Sequence, residues 1–344
     1  MTASLAVSRA RDEDAAAWQA YILDHPQAVL YHAWGWRTIL HDVLKHKTHY
    51  LVARRNGRLA GVLPLAEVKT LLFGHFLSSL PLAASAGPLG EDDEVIAALE
   101  ESAADLARSL SVGYLEYRNP TARDPERPQQ DLYVTFRKAI SLNHEDNLQA
   151  VPRKQRAMVR KGAKSGLVSE TGDLDAFFNL YADNMHRHGT PPMARRFFER
   201  LSATFGQDAV VLTIKDAGGK SLSGVVAICF RNVLYALYAG DTREAREVAA
   251  NDFKYAELMA LAAARGCREF DYGRSKRGSG QFDFKKNWGF VPVPLAYEYL
   301  LVRKNEIPAN NPMNPKFRLL IATWRRMPRW AVNAVGPALV RGLV

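Results

Sequence analysis

The chain has 344 residues, of which 47% are hydrophobic and 24% charged, a balance that excludes a disordered protein and leaves room for two domains of ordinary size. No stretch reaches the ~18 uncharged apolar residues needed to span a bilayer, and the opening MTASLAVSRARDEDAAAW has no continuous apolar run of the kind a secretion signal carries. With only two cysteines, Cys229 and Cys267, both inside apolar runs and read as inert packing, a cytoplasmic protein is expected, one that could touch the inner face of the membrane. The net charge of +10 is unevenly placed: residues 303–344 hold eight Lys/Arg against one acid, Glu306, and residues 153–166 hold six cations and no acid. Such clusters suit tRNA, phosphorylated lipid carriers or an anionic bilayer, with a plain solvated helix face as the alternative.

In chain order, residues from Tyr50 to Val68 read as two strands joined by an Asn56-Gly57 turn, followed by a helix over 91–110 and a strand over 112–117. Residues 120–130, rich in Pro and charge, read as a surface connection, and LYVTF after them as a short strand. A basic helix is expected over 147–165, then two amphipathic helices separated by Gly189-Thr190-Pro191-Pro192. From Ala209 a hairpin turns at Gly218-Gly219; the strand VLYALYAG, a helix over 251–267 ended by Gly266, and the strand REFDYG follow. Hairpin, strand, helix, strand thus occurs twice, as duplication of a mixed α/β unit would produce.

The loop after Asp271 is the most informative segment. Gly273, Gly278 and Gly280 free the backbone to present N–H groups, Arg274, Lys276, Arg277, Lys285 and Lys286 supply charge, and Phe282, Phe284, Trp288 and Phe290 tie the segment to a core, a composition suited to holding an anion. If 282–286 is extended, Lys285 and Lys286 point to opposite faces and only one enters a site. Beyond Pro315, Phe317, Leu320, Ile321 and Trp324 form the stripe of a basic amphipathic helix that Pro328 interrupts; it packs on the protein body or docks on a membrane surface or a partner.

YHAWGW (31–36), GVLPLAEV (61–68), GHFLSSLP (74–81), RKQRAMVRKGAKSGL (153–167), YAGDTREAREVAANDFKYAEL (238–258) and DYGRSKRGSGQFDFKKNWGF (271–290) resemble the Fem-type proteins. The likeness is strongest to the FemAB-related branch of exosortase/PEP-CTERM exopolysaccharide systems. It implies an α/β fold of two tandem GNAT-like domains, 1–145 and 146–305, the second with the active site, followed by a basic tail over 306–344. It further implies N-acyl or aminoacyl transfer to an amine of a cell-envelope or exopolysaccharide-associated acceptor, with no bound cofactor and with aminoacyl-tRNA or acyl-CoA as donor. The long helical arm common among tRNA-using members is absent from this sequence. So is the [Q/R]-x-x-G-x-[G/A] loop of CoA-binding acetyltransferases, which disfavours CoA. A non-catalytic membrane-surface factor in exopolysaccharide assembly is the reading from a different class.

Amine acylation needs donors for a developing oxyanion and an acceptor for a proton. Lys285 matches the Phe-Lys motif of the family, whose lysine is thought to meet negative charge at the reacting centre. Asp271 and Asp241, each ending a strand, are candidate bases or structural caps. Arg153, Arg156 and Arg274 are candidates for a phosphate or carboxylate, with Ser275, Gly280 and Tyr238 as further substrate contacts. Asn251, beside Asp252, either caps its helix or binds substrate; Trp36 flanks the N-terminal site in the resemblance or packs. His41, His46, His49, His186 and His188 match no zinc spacing, and no metal is expected.

Overall fold

The structure is a computed structural model that describes residues 4–71, 73–307 and 315–342; the side chains of 315–320, and with them Phe317 and Leu320, lie outside the described residues. The chain forms two compact units, one from residues 4–133, 294–307 and 341–342, the other from 134–293 and 315–340.

In the first unit the Asn56-Gly57 turn has φ of 52° and 80°, the left-handed pair that lets Leu51–Arg55 and Arg58–Leu63 close as an antiparallel hairpin. Helix Asp93–Ser109 begins where Asp92 accepts the Val95 N–H at 3.0 Å. Its Val95, Leu99, Ala103 and Leu106 pack on Leu51, Ala53, Leu77 and Leu115 of the strands. A second sheet runs Lys47–Thr48, Ala66–Thr70, Gly74–Ser78, Tyr114–Asn119, Ala296–Leu301, Gln129–Gln130.

The second unit contains β1 (Tyr133–Ala139), α1 (His144–Ala150), α2 (Arg153–Lys164), β2 (Val168–Thr171), α3 (Leu174–His188), α4 (Arg195–Phe205), β3 (Ala209–Lys215), β4 (Ser221–Phe230), β5 (Val233–Asp241), α5 (Ala250–Ala264), β6 (Glu269–Asp271), β7 (Ser275–Lys276), α6 (Gly280–Asn287), α7 (Pro315–Arg326) and α8 (Arg329–Val340). Its sheet runs β2-β3-β4-β5-β6-β1-β7. Strands β3, β4 and β5 are antiparallel neighbours, whereas β5 and β6 are parallel and joined through α5. Phe136, Leu212, Val225, Leu234, Phe270 and the α5 residues Ala256, Leu258, Met259 and Ala262 share one core.

The β5–β6 pairing ends at Tyr235 opposite Asp271, while β5 continues to Asp241. There β5 bulges: Val226 faces Tyr238 but Ala227 faces Ala236, and β6 turns away at Gly273, φ 71°. The two strands part at this point, and the residues that follow each of them carry the charged groups described below.

Three expectations change. The 147–165 helix is two helices because Pro152 excludes Val151 from helical geometry and opens α2. Residues 282–286 are helical, not extended, since Ser279 caps α6 by accepting the Phe282 N–H at 3.3 Å. The borders at 145/146 and 305/306 shift because β1 pairs with β6 of the second unit and Ala296–Leu301 pairs with Tyr114–Asn119 of the first. Of the readings left open for the tail, packing on the body is the one seen: α7 and α8 lie on α3, with Trp324 and Val332 buried, His186 Nε2 3.2 Å from the Trp324 carbonyl, and Arg329 2.5 Å from Asp183.

β5 reaches its end against the backbone of α3, where a Cβ on Gly240 would stand 2.5 Å from Tyr181 N and Cα. Gly240→Ala is therefore expected to destabilise the protein by about 1–3 kcal/mol through overpacking, read as a lower midpoint in urea unfolding. An unchanged midpoint would mean that α3 can retreat at no cost.

Candidate active site

Lys285 is the centre of the site. Its ammonium is buried on α6, donates to the Gly273 carbonyl at 2.9 Å and the Arg274 carbonyl at 3.3 Å, and lies 5.5 Å from the Phe136 ring centre and 5.9 Å from that of Tyr272. Burial pushes its pKa down to about 7; Asp271 opposes that shift and Arg274 adds to it. Asp271 is itself buried, 2.9 Å from Arg137 Nε, and accepts the Gly273 N–H at 2.6 Å. Burial raises its pKa against the pull of Arg137. Asp271 thus anchors the turn whose carbonyls hold Lys285.

Two hydroxyls beside this turn, those of Tyr272 and Ser275, are buried without a protein hydrogen-bond partner. Buried polar atoms are nearly always satisfied, so these two hydroxyls are candidates for contact with ligand atoms. Arg274 is an electrostatic neighbour of both Lys285 and Tyr238, whose ring packs against Tyr181, Phe197 and Phe198 at 5.3–6.1 Å.

Asp241, at the end of β5, accepts from Ser223 and lies 2.9 Å from Lys254 Nζ, which is fully buried on α5. Arg187 donates to the Asp241 carbonyl. Asn251 does not cap α5; the helix starts after Ala249, which takes the left-handed conformation at φ 56°. Asp252 instead accepts the Trp288 Nε1–H at 2.9 Å, joining α5 to α6. Arg156 is bound to α1, donating to the Gln149 carbonyl at 3.2 Å, while Arg153 is exposed. The chain before Arg153 closes on the end of α6, for a Cβ on Gly289 would lie 3.2 Å from Pro152. Gly280 is exposed with open space around it.

Trp36 is corrected. It belongs to the first unit, is 1% exposed, and gives its indole N–H to the Leu30 carbonyl at 3.0 Å, which leaves it a packing residue with nothing to offer a substrate. Lys285, Asp271, Arg274, Ser275 and, through Arg274, Tyr238 come together. Asp241 forms its own group with Lys254, Ser223 and Arg187. Lys254, Arg137 and Tyr272 were not singled out from the sequence, although Lys254 sits four residues before Leu258, in the apolar stripe of its helix, a position that itself signals a buried charge. Among the described residues no group of three His, Cys, Asp or Glu could hold a metal; His49 and His75 both bond Glu67, at 3.0 and 2.8 Å.

Residues 149–286, from the end of α1 into α6, match the acetyltransferase (GNAT) domain family. The chain is 24% identical over 167 residues to the UDP-N-acetylmuramoylpentapeptide-lysine N(6)-alanyltransferase of Weissella viridescens, a match that takes in 43% of this chain and 50% of that protein. It therefore spans about half the length of this curated relative. Among solved structures, FemX superposes with a TM-score of 0.65 at 15% identity, over 92% of this chain and all of FemX. A tandem GNAT protein from the clavulanic acid biosynthesis pathway superposes with 0.56 at 13%, over 88% of this chain and all of that one. The fold is thus a mixed α/β fold of the GNAT class. Within that class, the chain is similar to the FemAB-like proteins.

The Asp241–Lys254 pair is asymmetric, since the Asp241 side chain is 29% exposed and that of Lys254 is 0% exposed. Asp241→Asn strands a buried ammonium and is expected to cost ~3–5 kcal/mol, more than Lys254→Met, which leaves a carboxylate that water reaches. Equal losses in thermal unfolding would refute the asymmetry.

Lys285 gives the opposite sign. Its folded-state pKa of about 7 lies below the ordinary 10.5, so between these values the folded protein binds fewer protons than the unfolded chain and native stability rises with pH. Lys285→Met, which removes the buried charge, is expected to melt above the native protein below pH ~7 and to lose that advantage as pH approaches ~10. A difference independent of pH would rule out burial of the charged form.

Proposed function

We propose that the second unit is an N-acyltransferase, moving an aminoacyl group from tRNA to an amine of a cell-envelope precursor at the cytoplasmic side, with an exopolysaccharide-associated acceptor of the exosortase/PEP-CTERM type as the finer assignment. The observation that carries it is the buried Lys285 ammonium held on the Gly273 and Arg274 carbonyls of the turn after β6, a segment whose Tyr272 and Ser275 hydroxyls are buried without a protein partner.

In this reaction the acceptor amine attacks the ester carbonyl carbon, the new C–N bond forms, and the carbonyl oxygen takes up negative charge. Lys285, pre-set and dehydrated, places a positive charge against that oxygen, and Ser275 adds a neutral donor. Collapse of the intermediate breaks the C–O bond to the donor, whose hydroxyl leaves with a proton. Of the two carboxylates, Asp241 is the more accessible acceptor for the amine proton, with 29% of its side chain exposed against 7% for Asp271. Arg153 and Arg274 supply cations for phosphates of donor or acceptor.

Acyl-CoA is the second donor reading. The observation behind it is that Ala249, at the N-terminus of α5, takes the left-handed conformation that glycine favours. The test offers charged tRNA and acyl-CoA pools separately, with a cell-envelope extract, to the purified protein and to Lys285→Ala, and follows acceptor mass. Transfer from the tRNA pool, reduced ~10²–10³-fold in the variant, is expected. Transfer from CoA alone would replace the donor. Transfer from neither, with an acceptor-competent extract, would leave the non-catalytic assembly factor.

A further inference from the structure

Helix α8 has two different faces. The inner one is seated on α3 and the following turn: Val332 and Val340 are buried, and a Cβ on Gly336 would stand 2.7 Å from Pro192 Cδ. The outer one carries Trp330, 75% exposed, Val335, 44% exposed, and the exposed Ala334 and Ala338. No residue from 330 to 340 is charged. Apart from Asn333, the exposed residues from 330 to 340 are apolar, and a helix so largely apolar on both faces belongs inside a protein or in lipid, yet this one lies at the surface.

The charges stand at one end of it. Arg325, Arg326 and Arg329 are exposed where α7 hands over to α8, and residues 315–342 contain six cations and no acid. We propose that the outer face of α8 is a docking surface for an anionic lipid bilayer, with Trp330 and Val335 entering the headgroup boundary and Arg326 resting among lipid phosphates. Its 12 residues span only ~18 Å, against the ~30 Å of a hydrocarbon core, so the helix lies in the interface and does not cross. A second copy fits less well, because a two-fold contact through this patch sets one arginine rim against the other, and the acid beside it, Asp183, is already paired with Arg329 of its own chain. A phosphodiester chain would match the arginines but leave the uncharged Trp330–Ala338 surface uncovered. The inference stands apart from the acyl-transfer reading, since none of these residues belongs to the site around Lys285.

The test is co-sedimentation of the full chain with vesicles of phosphatidylcholine alone or mixed with phosphatidylglycerol, alongside sedimentation velocity without lipid. Binding only to the mixed vesicles is expected, weakened about tenfold by Trp330→Glu and by Arg326→Glu at unchanged melting temperature. The α2 pair Arg160→Glu/Lys161→Glu, elsewhere on the surface, is expected to change affinity by no more than about twofold. Native-like binding by Trp330→Glu, loss of binding confined to the α2 pair, or a lipid-free dimer that Trp330→Glu dissociates would each overturn the proposal.

Discussion

Keeping an ammonium group dry is the constraint around which the second unit is organised. An isolated buried cation is prohibitively expensive, and Lys285 is tolerated because two carbonyls of one turn face it and two aromatic rings flank it. In that turn Gly273 takes a positive φ and Asp271 accepts its N–H, while Arg137, reaching across from β1, favours the ionised form of Asp271 against the burial that raises its pKa. A chain of dependence thus runs from a neighbouring strand to the Lys285 ammonium.

Lys254 shows what the alternative looks like. It too is buried, but a carboxylate meets it directly, and a hydroxyl meets the carboxylate in turn. There a full counter-charge meets the ammonium, whereas Lys285 faces only carbonyl dipoles and its pKa is pushed down to about 7. Two buried lysines of one unit, on α5 and α6, are thus held in different ways.

What the sequence discloses here depends on how local the cause is. The Asn56-Gly57 and Gly218-Gly219 turns are legible because two residues specify them, and the end of α5 because Gly266 takes φ 77°. Lys285 and the loop before it were legible as a charged, aromatic-anchored motif. The conformation of Phe282–Lys286 was not, because F-D-F-K alternates as a strand does while the deciding cap, Ser279, lies upstream. Trp36 stayed open between packing and ligand contact because an indole that packs and an indole that stacks on a ligand look alike until the N–H partner is seen. Arg137 acts across sheet neighbours far apart in the chain, which no local pattern records.

The return of the chain after α6 has a consequence for how the protein is made. Strand Ala296–Leu301 completes the first unit's sheet along Tyr114–Asn119, but a ribosome delivers it only after the whole stretch from 134 to 293. Until then Tyr114–Asn119 presents an open row of N–H and C=O groups to whatever else is nearby. The first unit, although it starts earlier, is therefore the later of the two to close, and the nascent chain carries a sticky edge through most of its synthesis.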